Sequence, residues 1–521
     1  MTCRRRLCAV VILATLGLLP GALSAQGTYE DLQAFSSVLN YVRLNYVDSV
    51  SYHGMVRAAI AGMLQSLDPH SRFETKADFE RYVDLMQGKL SSSGLTLELV
   101  DGRPVVLGIV HGSPTDRAGV LPGDRLLSIN DTSALGIPTR ALELRLSGDQ
   151  GAKFRLRLER GPALEPDTLR VSFKLAPVKP PAVSEALLVD STTAVVRLES
   201  FERPDAIAEV SKTLDDLKHR GMKRLVLDLR WNPGGLVQGA SQLAGLFLPA
   251  RTLVFRTKGR QSADDQQFVT VQDGKWKDLP LAVLVNEWTA SASEAFAGAM
   301  QDHDRAIIVG RRTFGKALMQ RDFILPDGDV IWLTVARIVS PSGRVIQRQY
   351  HGLGALQYDL LAGHGGAPAD TDALYHTDAG RVVRGGGGIL PDSVLPPAPA
   401  PPRWWVTAGD SGILLRVADS VSQTLGASDR DQAAWLSLGP AGWRARLLGP
   451  FLTACRAELG IEARLDERQA DQVAVRLAAR AAQVRWGDVA ASAVEVSADP
   501  EVAAARRALP ATGALLAHPR P

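Results

Sequence analysis

The sequence predicts a multidomain chain of mixed α+β and α/β class, and three observations predict it. The apolar period changes from helical to alternating near residue 89. Strands and helices alternate between residues 182 and 351. Helical spacing returns after residue 403. At roughly 150 residues per domain, the 521 residues make three or four domains. Hydrophobic residues at 45% and charged residues at 22% are those of a chain able to bury a core.

The N-terminus reads as a secretory signal peptide over residues 1–25. Arg4, Arg5 and Arg6 precede the apolar run Leu7 to Leu19, Pro20 and Gly21 break it, and Ala22 to Ala25 are small. A spanning helix needs about 20 residues, so an uncleaved anchor is the weaker alternative. The reading is an exported protein of the periplasm or cell envelope, with membrane association only through this segment. Residues 28–88 are helical by the spacing of Leu32, Phe35, Val38, Leu39 and Val42 and of Met55 to Leu67. Asp68-Pro69-His70-Ser71 is a turn, with His70 read as structural.

Residues 89–178 form a compact β-module. Leu95 to Leu99, Val105 to Val110, Arg125 to Ile129, Phe154 to Leu158 and Leu169 to Phe173 alternate as strands. Short helices interrupt them near Pro114–Gly119 and Thr139–Leu146. Pro177, Pro180 and Pro181 mark a boundary. Residues 182–398 form an α/β core, with Gly385 to Gly388 and Pro396 to Pro402 as loop and linker. Residues 403–521 are an Ala- and Arg-rich helical appendage of no assigned role, its last dozen residues read as disordered.

Charge and cysteine content exclude several classes. A net charge of +3 with no long basic run gives no footprint for nucleic acid. Cys3 and Cys8 leave with the signal, so Cys455 has no internal partner and reads as a core residue. No Cys or His cluster has metal-ligand spacing, and no cofactor motif is complete. Gly310 to Ala317 matches a P-loop except that Ala317 replaces the magnesium-binding hydroxyl, and Phe323 to Leu325 reads as strand where a helix is required.

Three stretches can carry chemistry. Ser291 lies between a buried strand and a helix, where free N–H groups stabilise a developing oxyanion. With Glu294 three residues on, it also reads as a helix cap with a capping box. Lys316 follows another buried strand. In an apolar pocket its charged form is disfavoured and it becomes a usable base; otherwise it is a surface lysine. Asp228 to Gly235 ends a buried strand in a Pro-Gly-Gly turn where backbone amides can approach a ligand. No histidine completes a Ser-His-Asp set, and His303 reads as a solvated residue or a partner of the helix C-terminus.

Taken together and in order, these pieces resemble the C-terminal processing (tail-specific) serine peptidases over roughly residues 30–395. The resemblance rests on Leu67-Asp68-Pro69-His70-Ser71, on Ser93-Gly94-Leu95-Thr96 with Gly112-Ser113-Pro114, Ala118-Gly119-Val120 and Pro122-Gly123-Asp124-Arg125, and on Asp228 to Gly235. Ser291-Ala292-Ser293-Glu294, Thr313-Phe314-Gly315-Lys316 with Gln320, and Pro341-Ser342-Gly343-Arg344 complete it. It implies a PDZ domain over 89–178 and a crotonase-like core. It implies Ser291 as nucleophile, Lys316 as general base and Gln320 as the residue orienting the lysine. Backbone amides of Gly235 and Ala292 would form the oxyanion hole. In the PDZ-like module, Gly94, Leu95 and Thr96 would bind a peptide carboxylate while the peptide adds a strand to the sheet edge. The implied activity is endopeptidase cleavage of exported polypeptides with a free C-terminus. No adaptor protein is identifiable. Trp231 stands where the family usually has a small or polar residue, and Ala317 where it has glycine. These two departures leave a catalytically silent PDZ scaffold as the alternative.

Overall fold

The computed structural model describes residues 21–517 except 87–90, 101–102, 111–112, 121–123, 138, 161–166, 179–180, 354–357, 359–372, 397–412 and 463. The apolar run Leu7–Leu19, Gly112, Pro122, Gly123 and the linker Pro396–Pro402, apart from Pro396, lie outside the described residues. The chain divides into two compact units at Leu67 and Asp68. The first holds two helices, α1 (Gly21–Asn45) and α2 (Tyr52–Gln65). Ser51 caps α2 by accepting from the Gly54 amide at 3.2 Å.

The second unit opens with strand β1 (Arg72–Glu74) and helix α3 (Lys76–Met86). The β-module follows with β2 (Leu95–Val100), β3 (Arg103–Ile109), β4 (Arg125–Ile129), helix α4 (Thr139–Arg145), β5 (Lys153–Arg160) and β6 (Asp167–Lys174). These strands pair antiparallel in chain order, so β2 is an edge. The alternation of β5 explains its two faces. Leu156 and Leu158 join Leu97, Val106, Leu126 and Leu142 in the core, while Arg155 and Arg157 point outward.

The α/β core is a six-stranded sheet of β7 (Val183–Leu188), β8 (Thr193–Leu198), β9 (Arg224–Asp228), β12 (Leu281–Val285), β13 (Ile307–Gly310) and β16 (Ser393–Val394), in that order. Only β7 runs antiparallel to its neighbour. All five residues of β12 are buried, as a parallel strand covered on both faces requires. Helices α5 (Ala206–His219), α6 (Val237–Ala244) and α7 (Ala292–Asp302) bury Val196, Leu227 and Val283 on one face. A second sheet joins β1, β10 (Leu253–Gly259), β11 (Gln267–Val269), β14 (Leu318–Ile324) and β15 (Val330–Val339), with β15 central.

The C-terminal region is helical, as expected. Helices α8 (Ile413–Ser422), α9 (Asp429–Ser437), α10 (Gly439–Leu459), α11 (Glu467–Trp486) and α12 (Asp488–Ala498) share a core that includes Trp443, Phe451 and Leu477. Cys455 is buried in that core, and burial pushes its thiol up to about 11. Helix α13 (Pro500–Ala508) then covers the other face of the main sheet. Val502, Ala505 and Leu509 meet Val195, Val226, Leu284 and Val309. The last dozen residues are helical from Thr512 to Ala517, correcting the expectation of disorder there: Leu509 is anchored in the sheet's apolar cluster and Thr512 is buried. Among the described residues no helix is long and apolar enough to cross a membrane.

Candidate active site

The parallel strands end on one edge of the main sheet, and the candidate residues follow those ends. Ser291 caps α7 with φ +57°, a left-handed conformation unusual for a residue with a side chain. Its neighbours pin it: Asn232 O accepts from the Ala290 amide at 3.0 Å and from Ser293 Oγ at 3.2 Å. Gly234 packs so closely here that a Cβ would lie 2.7 Å from Ala290 O and 2.8 Å from Ala292 N. Gly235 bridges Phe201 through the flanking groups, with Phe201 N donating to Gly234 O and Leu236 N to Phe201 O. Neither bond uses the N–H of Gly235. Ala292 is the first residue of α7, where N–H groups have no intrahelical acceptor.

One carboxylate ties the serine to the lysine segment. Glu294 is fully buried. Its Oε2 accepts from the amides of Ser291 (2.9 Å) and Lys316 (2.8 Å), and its Oε1 from the Gly315 amide (2.7 Å) and Thr313 Oγ1 (2.5 Å). The capping box anticipated at Ser291 is therefore half of a larger clamp that also fixes Lys316. Burial raises the Glu294 pKa to about 7, and the four donors pull it the other way. Further contacts hold the same segment. Ala317 N donates to Gln347 Oε1 at 2.7 Å, Tyr358 Oη to Gly315 O at 3.1 Å, and Arg348 Nε to Phe314 O at 3.0 Å. The glycines expected as loop and linker belong to this wall. Gly388 approaches Thr313 so closely that a Cβ would lie 2.2 Å from its carbonyl oxygen. The segment runs into strand β14 and opens no helix, which accords with rejecting a P-loop.

Gln320 stands on β14 and donates through Nε2 to Thr334 Oγ1 at 3.1 Å. Thr334 N in turn donates to Ser71 Oγ (3.1 Å), and Ser71 Oγ to Asp68 Oδ2 (2.6 Å). The Asp68–Ser71 turn, seemingly remote in sequence, is thus bound to the strand beside Gln320. His70 comes with it. Burial, then the charge of Lys316, lowers its pKa to about 4. Its ring meets Tyr358 edge-on at 5.4 Å, and its Nε2 is buried without a hydrogen-bond partner. Sequence reasoning set His70 aside as structural because its proximity to Lys316 depends on β1 pairing with β15. His303 is largely buried, with Nδ1 2.7 Å from Asp378 and Nε2 2.7 Å from Leu253 O.

Asp228, fully buried at the end of β9, accepts from Arg230 (2.7 Å) and Arg197 (2.9 Å). Burial pushes its pKa up, but these guanidiniums outweigh it and hold the carboxyl below its ordinary value. Arg230 reaches on to Asp499 and Glu501, both at 2.7 Å, and so ties the glycine turn to α13. Trp231 has φ +65° and stacks on Trp288, with ring centroids 5.7 Å apart. Both amides donate to Asn286 Oδ1, and both rings reach solvent.

The structure therefore gathers Ser291, Ala292, Gly235 and Lys316 around two interlocked loops and Glu294, with Gln320 on the strand that continues from Lys316. Gly94, Leu95 and Thr96 lie in the β-module. Gly94 has φ +83°, and a Cβ there would collide with Ser113.

A serine at a helix start, held by Glu294 to a lysine segment beside a glycine turn, is an arrangement that serine hydrolase chemistry can use. The comparisons place it further. The model of peptidase family S41 matches residues 192–355. The chain is 36% identical over 312 residues to the carboxyl-terminal-processing protease of Synechocystis, covering 58% of this chain and 70% of that protein. It is 31% identical over 330 residues to the carboxy-terminal-processing protease of Bartonella bacilliformis, covering 62% and 74%. It is 27% identical over 336 residues to that of Bacillus subtilis, covering 63% and 69%. The chain belongs to peptidase family S41 and is a serine endopeptidase of the carboxyl-terminal processing type. The peptidase reading thus stands over the silent scaffold.

Proposed function

We propose that Ser291 is the nucleophile and Lys316 its general base. The observation that carries this reading is the sharing of one Glu294 oxygen between the Ser291 and Lys316 amides. Ser291 Oγ attacks a peptide carbonyl carbon while Lys316 Nζ accepts the hydroxyl proton. The amides of Gly235 and Ala292 stabilise the oxyanion. As the C–N bond breaks, the Lys316 proton passes to the departing amine. Water, deprotonated by Lys316, then attacks the acyl carbon, the bond from that carbon to Ser291 Oγ breaks, and Lys316 returns the proton to Oγ. Gln320, anchored on Thr334, orients the lysine. The β-module presents the Gly94–Thr96 backbone to the free C-terminus of a polypeptide substrate. The arginine-led apolar N-terminus exports the protein to the periplasm or cell envelope.

Purified protein is expected to cleave an unstructured polypeptide, with Ser291→Ala and Lys316→Ala each reduced to background. Full activity of Lys316→Ala at neutral pH would overturn the assignment. A peptide with an amidated C-terminus is expected to be cleaved more slowly than the same peptide with a free one.

A further inference from the structure

The C-terminal helical region reaches the bases of the loops that carry the candidate active site. Strands β9, β12 and β13 are parallel neighbours, and a charged residue stands just past the carboxyl end of each. Arg230 follows β9, Glu287 follows β12 and Arg311 follows β13. The first opens the glycine turn, the second leads to Ser291 and the third to Lys316. Helix α13 brings one carboxylate to all three. Asp499 caps this helix by accepting from the amides of Glu501 (2.8 Å) and Val502 (3.2 Å), and Pro500 and Glu501 stand in its first turn. Glu501 Oε2 accepts from Arg230 Nη1 at 2.7 Å, and its Oε1 accepts from Arg311 Nη1. Arg311 Nε donates in turn to Glu287 Oε2 at 2.6 Å. All four side chains are largely buried, so salt screens these charges little. The helix has other anchors. Val502, Ala505 and Leu509 bury against the main sheet, and Arg506 in its last turn pairs with Asp190 at 2.8 Å. Arg230 is also held by Asp228 and Asp499. What Glu501 adds is a single point to which three loops are tied.

We propose that Glu501 is a positioning residue for the peptidase reaction, through which the C-terminal helical region braces the glycine turn, the Ser291 loop and the Lys316 segment against one another. The inference rests on the reading of Ser291 and Lys316 as the catalytic pair. Nucleophile, base and oxyanion amides sit on three separate loops, so their mutual placement depends on how the loop bases are joined. Glu294 joins two of these loops close to the chemistry, and Glu501 joins all three at their roots. A misplacement of about 1 Å among reacting groups costs up to about 100-fold in rate. Cutting the brace therefore slows attack, while substrate contacts made elsewhere persist.

The test uses the full chain and steady-state cleavage of one unstructured peptide, with rates referred to the folded fraction measured by circular dichroism. Glu501→Gln keeps the shape, but its amide nitrogen faces one of the two guanidiniums with a donor where an acceptor is required. It is expected to lower kcat about tenfold or more with KM within about twofold, and to slow fluorophosphonate labelling of Ser291 by the same factor. Arg506→Gln is the control. It cuts an ion pair of the same helix away from the loops and is expected to keep the wild-type kcat. Equal losses in the two variants, or a wild-type kcat in Glu501→Gln, overturn the brace. Should Glu501→Gln not fold, Glu501→Asp takes its place, with the charge kept on a side chain one methylene shorter that cannot span both arginines. The same fall in kcat is expected, and a wild-type value overturns the proposal. Ser291→Ala separates the two readings. If it is inert while Glu501→Gln keeps the wild-type kcat, the brace alone fails; if it still cleaves, the catalytic assignment fails and the brace with it.

Discussion

Glu294→Gln tests the clamp most sharply, because it separates geometry from charge. Its carbonyl oxygen can take the Oε2 place and keep the Ser291 and Lys316 amides. Its amide nitrogen then faces Thr313 Oγ1, which can accept, and the Gly315 amide, which cannot. The Gly315 N–H and the Thr313 O–H both lose the Oε1 acceptor, at about 1–3 kcal/mol each. The pH dependence adds a second signature. Burial raises the carboxyl from 4.5 to about 7, so the folded chain binds the proton more tightly than the unfolded one. Stability from this group is present below 4.5 and is lost as pH rises through about 7, amounting to roughly 3 kcal/mol. Glutamine has no such dependence. Urea denaturation of both proteins at pH 5 and pH 8 therefore reads the difference directly, since other titrating groups cancel. The wild-type advantage is expected to be larger at pH 5 by roughly 3 kcal/mol. An equal gap at both pH values, or a larger one at pH 8, would refute the account of Glu294.

Other perturbations have equally definite outcomes. Gly234→Ala puts a Cβ within 2.8 Å of three atoms of the Ser291 turn, at φ +93°; a loss of about 2 kcal/mol or more and of peptidase activity is expected, measured by thermal unfolding and peptide cleavage. His70 has its pKa lowered to about 4, so its contribution is present above 6.5 and lost as pH falls through 4, roughly 3 kcal/mol in all. His70→Gln is expected to flatten that acid limb in pH-dependent denaturation, and an unchanged limb contradicts it. Asp228→Ala leaves Arg197 and Arg230 without their shared buried carboxylate; about 3–5 kcal/mol of stability is expected to go, read by denaturation. Removing residues 499–521 uncovers Val195, Val226, Leu284 and Val309 on the main sheet, and the truncated chain is expected to aggregate on expression.

Much of this site was legible because its signals are local. Ser291 before a helix, glycines 234 and 235 after a buried strand, and Lys316 after another each follow from patterns a few residues long. So does the alternation that marks β5. What escaped depends on pairing between distant segments. Asp68–Ser71 reads as an ordinary turn until β1 pairs with β15 and brings His70 to Lys316 and Ser71 to Thr334. Gly385–Gly388 reads as linker because its composition shows permissive backbone, not that the backbone presses on Thr313. Likewise α13 shows helical spacing, but nothing near it in sequence says that the second face of the parallel sheet is what it covers. Glu294 was half legible: its bond to Ser291 is local, and its bonds to Gly315 and Lys316 span more than twenty residues.

Attack by Ser291 with Lys316 as base is tested most directly by the rate at which a fluorophosphonate labels the protein, with the adduct mapped by mass spectrometry. The adduct is expected on the peptide containing Ser291, forming about 100-fold more slowly or less in Lys316→Ala, in line with the loss of a general base. Labelling at another residue, or an equal rate without the Lys316 amine, would contradict the mechanism.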